Sequence, residues 1–279
     1  MNSLQRYTCK ATIIGLCLAA ATGAYAQVGS INSAIIQPRL FNDIPGATFT
    51  PVNAYPGLIS LSEAGVSQAG GYANRDAWKF SNNGGASAYQ FQNGDYFNAS
   101  FTVTLTGGTP LYGLEAGWLF SNLNGTFYGD LSTVIVGQGG NAGAVFQGGG
   151  PSYYPFSPAA GGYPGAGGSV PNYVLGETYL MGLNYVVDPN TGLNAFQYSV
   201  NGQFAASSPG NTYFDLPGGM NVSGNTLGGY FQIQNVPTDP TQGGTAVFGD
   251  ISITPVPEPS TLAFLGLGMV PLLLRRRRI

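Results

Sequence analysis

Thr178-Tyr-Leu-Met-Gly-Leu-Asn-Tyr-Val-Val187, Asp188-Pro-Asn-Thr-Gly192 and Leu193-Asn-Ala-Phe-Gln-Tyr-Ser-Val-Asn-Gly-Gln-Phe-Ala-Ala206 follow one another without a break. The first block is rich in aromatic and branched residues, which favour a strand. Asp188 to Gly192 is a turn: Pro189 presets φ near −65°, and Gly192 is free to take φ > 0. Leu193 to Val200 is the returning strand. Asn201-Gly202 is the strongest short hairpin signal, because a type I′ turn needs φ > 0 at both central residues. Gln203 to Ala206 then pairs back. Three strands and two turns in fewer than thirty residues set an all-β reading for the chain.

The rest agrees with that reading. Phe101-Thr-Val-Thr-Leu105 alternates and stops at Thr106-Gly-Gly-Thr-Pro110. Leu114 to Phe120 and Leu131 to Val136 read as two strands joined through Asn124-Gly125. Gly229 to Gln234 and Ala246 to Ile253 complete the set. In the last of these, simple alternation puts Val247, Ile251 and Ile253 on one face and Asp250 and Ser252 on the other. Many short strands, frequent turns and no long 3.6-residue apolar stripe predict a single β-sandwich or jelly roll.

Both cysteines, Cys9 and Cys17, fall in an N-terminal segment with a basic start (Arg6, Lys10) and an apolar stretch from Ala11 to Ala21. Ala24-Tyr25-Ala26 is an A-x-A site for signal peptidase, so residues 1–26 read as a secretory signal peptide. Leu16 before Cys17 argues against lipidation. The exported part, from Gln27, therefore has no thiol and must be held by its core. It has no histidine either, so it lacks the commonest general base and metal ligand.

Charge is scarce, at 8% of residues. Between Gln27 and Val256 eleven acidic residues face three basic ones, Arg39, Arg75 and Lys79, which leaves about −8. Such a surface repels nucleic acid and anionic lipid. No Glu-x-Asp-x-x-Glu spacing of a glucanase strand is present, and serine hydrolysis lacks its histidine. No catalytic residue is assigned, and no enzyme activity is expected. The alternative is a glycoside-acting enzyme, which requires an Asp/Glu pair about 5 to 10 Å apart in a cleft. No cofactor is expected and no metal site is assigned; Asp188, Asn190 and Asp215 are the oxygen donors that would suit Ca2+.

Two further features invite a binding role. Gly137 to Gly168 is mostly glycine, proline, tyrosine and serine, and reads as a long rim loop; Tyr153, Tyr154 and Tyr163 on it are candidates to stack on sugar rings. Trp118, in a strand run, is expected in the core. Trp78 lies in Arg75-Asp-Ala-Trp-Lys-Phe80, the one patch with both charge signs; core or turn packing is favoured there over a sugar site.

The C-terminus reads as an address. Pro257-Glu258-Pro259 is stiff and extended, because proline fixes φ and offers no N–H. Leu262 to Leu274 carries no charge, and Arg275, Arg276, Arg277 and Arg278 follow. As a helix the 13-residue run spans about 20 Å, against a hydrocarbon core of about 30 Å. It suits a transient membrane tether better than a permanent anchor, with the arginines held on the cytoplasmic side.

This tail resembles a PEP-CTERM sorting signal, the tag of Gram-negative exported proteins handled by an exosortase. The resemblance rests on Val256-Pro-Glu-Pro-Ser-Thr-Leu262, Gly266-Leu-Gly268 and the four arginines. It implies cleavage near the tripeptide by a membrane cysteine transpeptidase, then release to the cell surface or extracellular matrix, with association to exopolysaccharide or biofilm. Tyr198-Ser-Val-Asn-Gly202 with the closing Val247-Phe-Gly-Asp-Ile-Ser-Ile253 is similar to concanavalin A-like lectin and laminin-G-type jelly rolls; a galactose-binding-like jelly roll is the second resemblance. The expected organisation is signal peptide 1–26, β-sandwich 27–254 and sorting signal 255–279, with its transmembrane segment at 262–274.

Overall fold

The computed structural model describes residues 27–41, 44, 46–66, 74–107, 113–122, 131–136, 144–148, 176–204, 210–216, 221–234 and 243–257. After a short 3₁₀ turn, Gln27–Ser30, the described chain is two antiparallel sheets. The first has six strands in the order β1 (Ser33–Phe41), β4 (Asn74–Ser81), β13 (Asn225–Gln234), β6 (Gly113–Asn122), β7 (Leu131–Val136), β8 (Ala144–Gly148). The second has eight. Its path is β11 (Gln203–Phe204), β10 (Asn194–Val200), β9 (Thr178–Val187), β5 (Phe97–Gly107), β14 (Gly243–Pro255), β3 (Leu58–Ala64), β2 (Thr48–Ala54), and β12 (Phe214–Asp215) pairs with β10 off that path. The result is a jelly-roll β-sandwich. Among the described residues no helix is long and apolar enough to cross a membrane. Residues 262–274 and the signal peptide lie outside the described residues.

Alternation builds the core. Phe97, Ala99, Phe101, Val103 and Leu105 of β5 point inward from one sheet; Trp78 and Phe80 of β4 and Trp118 and Phe120 of β6 point inward from the other. Phe101 sits at the centre, with ring centroids 4.1 Å from Trp118, 5.9 Å from Trp78 and 5.1 Å from Phe248. The Trp78 and Phe248 contacts are edge-on and the Trp118 contact is tilted; edge-on pairs add about 0.5–1.5 kcal/mol each to the burial itself. Glycine makes room for it. A Cβ on Gly229 would overlap the Trp78 indole, and one on Gly228 would overlap the Trp78 carbonyl. The Gly228-Gly229 pair therefore lets β13 close on β4. Where the two sheets meet at their β1 and β2 edges, Asn53 Nδ2 donates to the Ala34 carbonyl at 2.9 Å.

The Asn201-Gly202 hairpin forms as the sequence requires. Asn201 has φ 51° and Gly202 has φ 79°, and Val200 pairs with Gln203 across the two-residue loop. Gly192 takes φ 71° in the preceding turn.

Residues 74–81 form a central strand, and every residue of β4 is buried, its charged ones included. Trp78 is fully buried in the core, the packing favoured for it over a sugar site. Two expectations are corrected. Part of the segment from 137 to 168 is strand: β8 pairs with β7, from Ile135↔Ala144 to Leu131↔Gly148. Finally, Val247 does not share a face with Ile251 and Ile253. Ala246 and Phe248 face the core, and an extra residue enters between Gly249 and Ser252, where the β14–β5 register shifts. Asp250 takes φ 49° there. A β-bulge of one residue inverts the alternation beyond it, which returns Ile251 and Ile253 to the core side.

Candidate functional site

The tail departs from the sandwich at β14. Val256 N–H donates to the Tyr96 carbonyl at 2.9 Å, the last described backbone tie of the domain. Pro255 and Pro257 are exposed on either side of it. The candidate tripeptide thus begins where the last strand ends, with Pro257 already in solvent. Glu258, Pro259 and Arg275 to Arg278 lie outside the described residues, as do Ala24, Ala26, Tyr153, Tyr154 and Tyr163.

Inside the domain the scarce charges are gathered rather than dispersed. Glu63 occupies the third inward position of β3, after Ile59 and Leu61. It meets Asp76 of β4, and Arg39 Nη1 lies 2.7 Å from its Oε1. Arg39 reaches inward through an irregular stretch of β1 where the register with β4 shifts, and it has φ 56°. Its N–H donates to Asp76 Oδ1 at 2.9 Å, and Nη2 donates to the Ala47 carbonyl. Asn74 Oδ1 accepts from Ile44 N–H at 3.0 Å. Burial pushes the Glu63 carboxyl up to about 8, with its hydrogen bond to Asp76 and that neighbour's negative charge adding to it; Arg39 and Asn74 pull the other way. Near neutral pH the pair therefore holds one proton and one negative charge, matched by Arg39.

The outer face of the first sheet carries the other two cations. Arg75 Nε donates to Gln232 Oε1 at 2.6 Å, with the guanidinium carbon 4.9 Å from the Tyr230 ring centroid. Lys79, Gly228 and Leu119 form one cross-strand row. With no side chain at Gly228, Lys79 crosses β13 and donates from Nζ to the Leu119 carbonyl at 2.9 Å. Arg75 is 3% exposed and Lys79 is fully buried. These contacts brace the sheet.

Of the residues proposed to suit Ca2+, Asp188 and Asp215 are brought together, and Asn190 contributes its N–H to Asp188 Oδ1 at 2.7 Å. Trp118 is buried in the core as expected. Sequence reasoning did not find the Glu63–Asp76–Arg39 cluster. Its one signal was a glutamate at an inward position of an alternating strand. Asp95 is buried and accepts from Tyr89 Oη at 2.8 Å and Gln92 N–H at 2.7 Å.

A search among curated proteins finds no match. Among solved structures the chain is similar to the alginate lyase AlgAT5 of polysaccharide lyase family 7, at 12% identity and a TM-score of 0.46, over 74% of this chain and 81% of that one. The carbohydrate recognition domain of Emp47p aligns at 13% identity and a TM-score of 0.39, over 77% and 94%. An alginate lyase from Corynebacterium sp. aligns at 12% identity and a TM-score of 0.38, over 77% and 82%. The family model of the PEP-CTERM protein-sorting motif matches residues 255–278, the stretch that leaves the sandwich at Pro255. The chain therefore carries a PEP-CTERM sorting signal and is an exported protein with a C-terminal membrane-anchoring tag, processed by an exosortase.

Proposed function

We propose that the sandwich is a non-catalytic module with a structural or carbohydrate-binding role in exopolysaccharide or biofilm, at the cell surface or in the matrix. The observation that carries this reading is the join between cargo and tag. Pro255 ends β14 and opens the sorting motif, so the folded unit handed to the exosortase is the sandwich itself. The placement of the acids supports a non-catalytic role. Glu63 is committed to Arg39 and Asp76, and Asp95 to Tyr89 and Gln92. The outer face of the larger sheet supports carbohydrate contact. Thr102, Asn184 and Ser199 are half-exposed there, beside exposed Asn98 and Thr178. Such hydroxyls and amides pair with sugar hydroxyls without electrostatic repulsion. Phe204 and Leu180, 49% and 43% exposed, offer apolar surface for a pyranose ring.

Binding is tested on a glycan array and by pull-down with native matrix. Retention on at least one polysaccharide is expected, weakened in Phe204→Ala, with no new reducing ends released. Two blank results remove the binding half, and released reducing ends remove the non-catalytic half. Sorting is tested by Glu258→Gln and by deletion of Arg275 to Arg278. Both should leave an unprocessed form in the inner membrane, and unchanged processing would count against this route.

A further inference from the structure

Asp188 and Asp215 reach one spot from different elements. Val186 of β9 pairs with Ala195 of β10, and Ala195 pairs with Asp215 of β12. Directly opposed residues share a face of the sheet, and Asp188 lies two residues beyond Val186. Both carboxylates therefore stand on the outer face of the larger sheet, on either side of Ala195. Ala195 is fully buried, and Asp188 and Asp215 interact directly.

The local chain fixes Asp188 in place. Its N–H donates to the Leu193 carbonyl at 2.8 Å, and its own carbonyl accepts from Gly192 N–H at 2.8 Å. Its Oδ1 accepts from Asn190 N–H. Its Oδ2 is buried and has no hydrogen-bond partner, although Asp188 is fully buried. Asp215 Oδ1 is in the same condition. Asp215 also accepts from the Thr191 side chain. Each acid thus keeps one buried carboxylate oxygen without a well-aligned hydrogen-bond partner, and the two side chains are neighbours. Burial raises the Asp215 carboxyl, and the charge of Asp188 and a hydrogen bond with it add to that, against the Thr191 hydrogen bond. Such an arrangement requires either a shared proton or a bound cation.

The other buried carboxyl pair supplies the contrast. Glu63 and Asp76 have Arg39 beside them. The exported domain has only two other cations: Arg75 is committed to Gln232 and Lys79 to the Leu119 carbonyl, both on the first sheet. A charge to match Asp188 and Asp215 has to come from solution. Asn190 and Thr191 are exposed, so solvent reaches the turn.

We propose that Asp188 and Asp215 bind Ca2+ between Asp188 Oδ2 and Asp215 Oδ1, with the Thr191 hydroxyl beside it and water completing the shell. Oxygen-only donors and an exposed, adaptable turn favour Ca2+ over the smaller Mg2+. Among the described residues no cluster of three His, Cys, Asp or Glu forms, so the affinity belongs to the weak extracellular range, ~10⁻⁴–10⁻³ M. The ion clips the β9–β10 turn to β12.

The test uses the full chain in detergent, freed of metal with a chelator, at neutral pH. CaCl2 and MgCl2 are titrated by calorimetry, and Tm is followed by tryptophan fluorescence. Saturable binding of CaCl2 at one site, a rise in Tm with CaCl2 and a weaker response to MgCl2 are expected. Asp188→Asn and Asp215→Asn should each remove the CaCl2 response, whereas Asp250→Asn, at the exposed bulge, should keep it. Should Asp188→Asn fail to fold, Asp215→Asn on the shorter strand carries the test. A wild-type Tm indifferent to CaCl2, with no saturable binding by calorimetry, means the pair shares only a proton, and the proposal falls. It also falls if the double variant Asp188→Asn/Asp215→Asn keeps the calcium response.

Discussion

Glu63→Gln should abolish most of the domain's pH dependence between mild acid and neutral pH. The Glu63 carboxyl has an ordinary value of 4.5 and is raised to about 8 in the fold. Between those values the folded chain keeps a proton that the unfolded chain has released, so stability falls as pH rises. The slope is about 1.4 kcal/mol per pH unit for one fully protected group. From about pH 5.5 to about pH 7.5 the loss is therefore roughly 3 kcal/mol, a large share of the ~5–15 kcal/mol that holds an ordinary domain. Above the folded value the loss stops. The charged and titratable groups facing Glu63 are Asp76, which raises it, and Arg39, which lowers it. A glutamine amide donates to Asp76 as the protonated acid does, and its oxygen still accepts from Arg39. The variant should match wild type near pH 5.5 and exceed it near pH 7.5. Glu63→Ala leaves Arg39 without its acceptor and should cost about 3–5 kcal/mol at either pH. Urea unfolding followed by the fluorescence of buried Trp78 and Trp118 reads all three proteins. Parallel pH profiles for wild type and Glu63→Gln would refute the shared-proton account.

Three further changes probe how the sandwich closes. Gly228→Ala sets a methyl against the Trp78 carbonyl of the paired strand; backbone cannot yield as a side chain can, so a loss of about 3 kcal/mol or more is expected in the denaturation midpoint, against typical overpacking costs of ~1–3 kcal/mol. Asn201→Ala keeps a φ of 51° that alanine disfavours and removes the 2.9 Å bond from Leu180 N–H to Asn201 Oδ1; a cost of about 1–2 kcal/mol should appear in the same measurement. Tyr89→Phe deletes one donor to buried Asp95, for about 1.5–3 kcal/mol in the same measurement.

Residue type revealed the β9–β10–β11 unit because its turns demand particular residues and its strands bury one face. The outlying strands lacked that signal. β2 is exposed along nearly its whole length and carries Pro51, which reads as loop although an edge strand tolerates it. β4 is buried on both faces, so its charges broke the pattern that alternation looks for. Arg75, Asp76 and Lys79 share this one strand, and only the partners on β13, β6 and β1 explain why they are inside. The same limit hid the functional chemistry. Asp188 and Asp215 are 27 residues apart in sequence and meet across one alanine, because β12 returns to the far side of β10. Residue type had already named both as oxygen donors. What it could not supply was the absence of a nearby protein cation, which follows from where Arg39, Arg75 and Lys79 are anchored. In a domain with three cations, their placement decides which buried carboxylates are matched from within and which must be matched from solution.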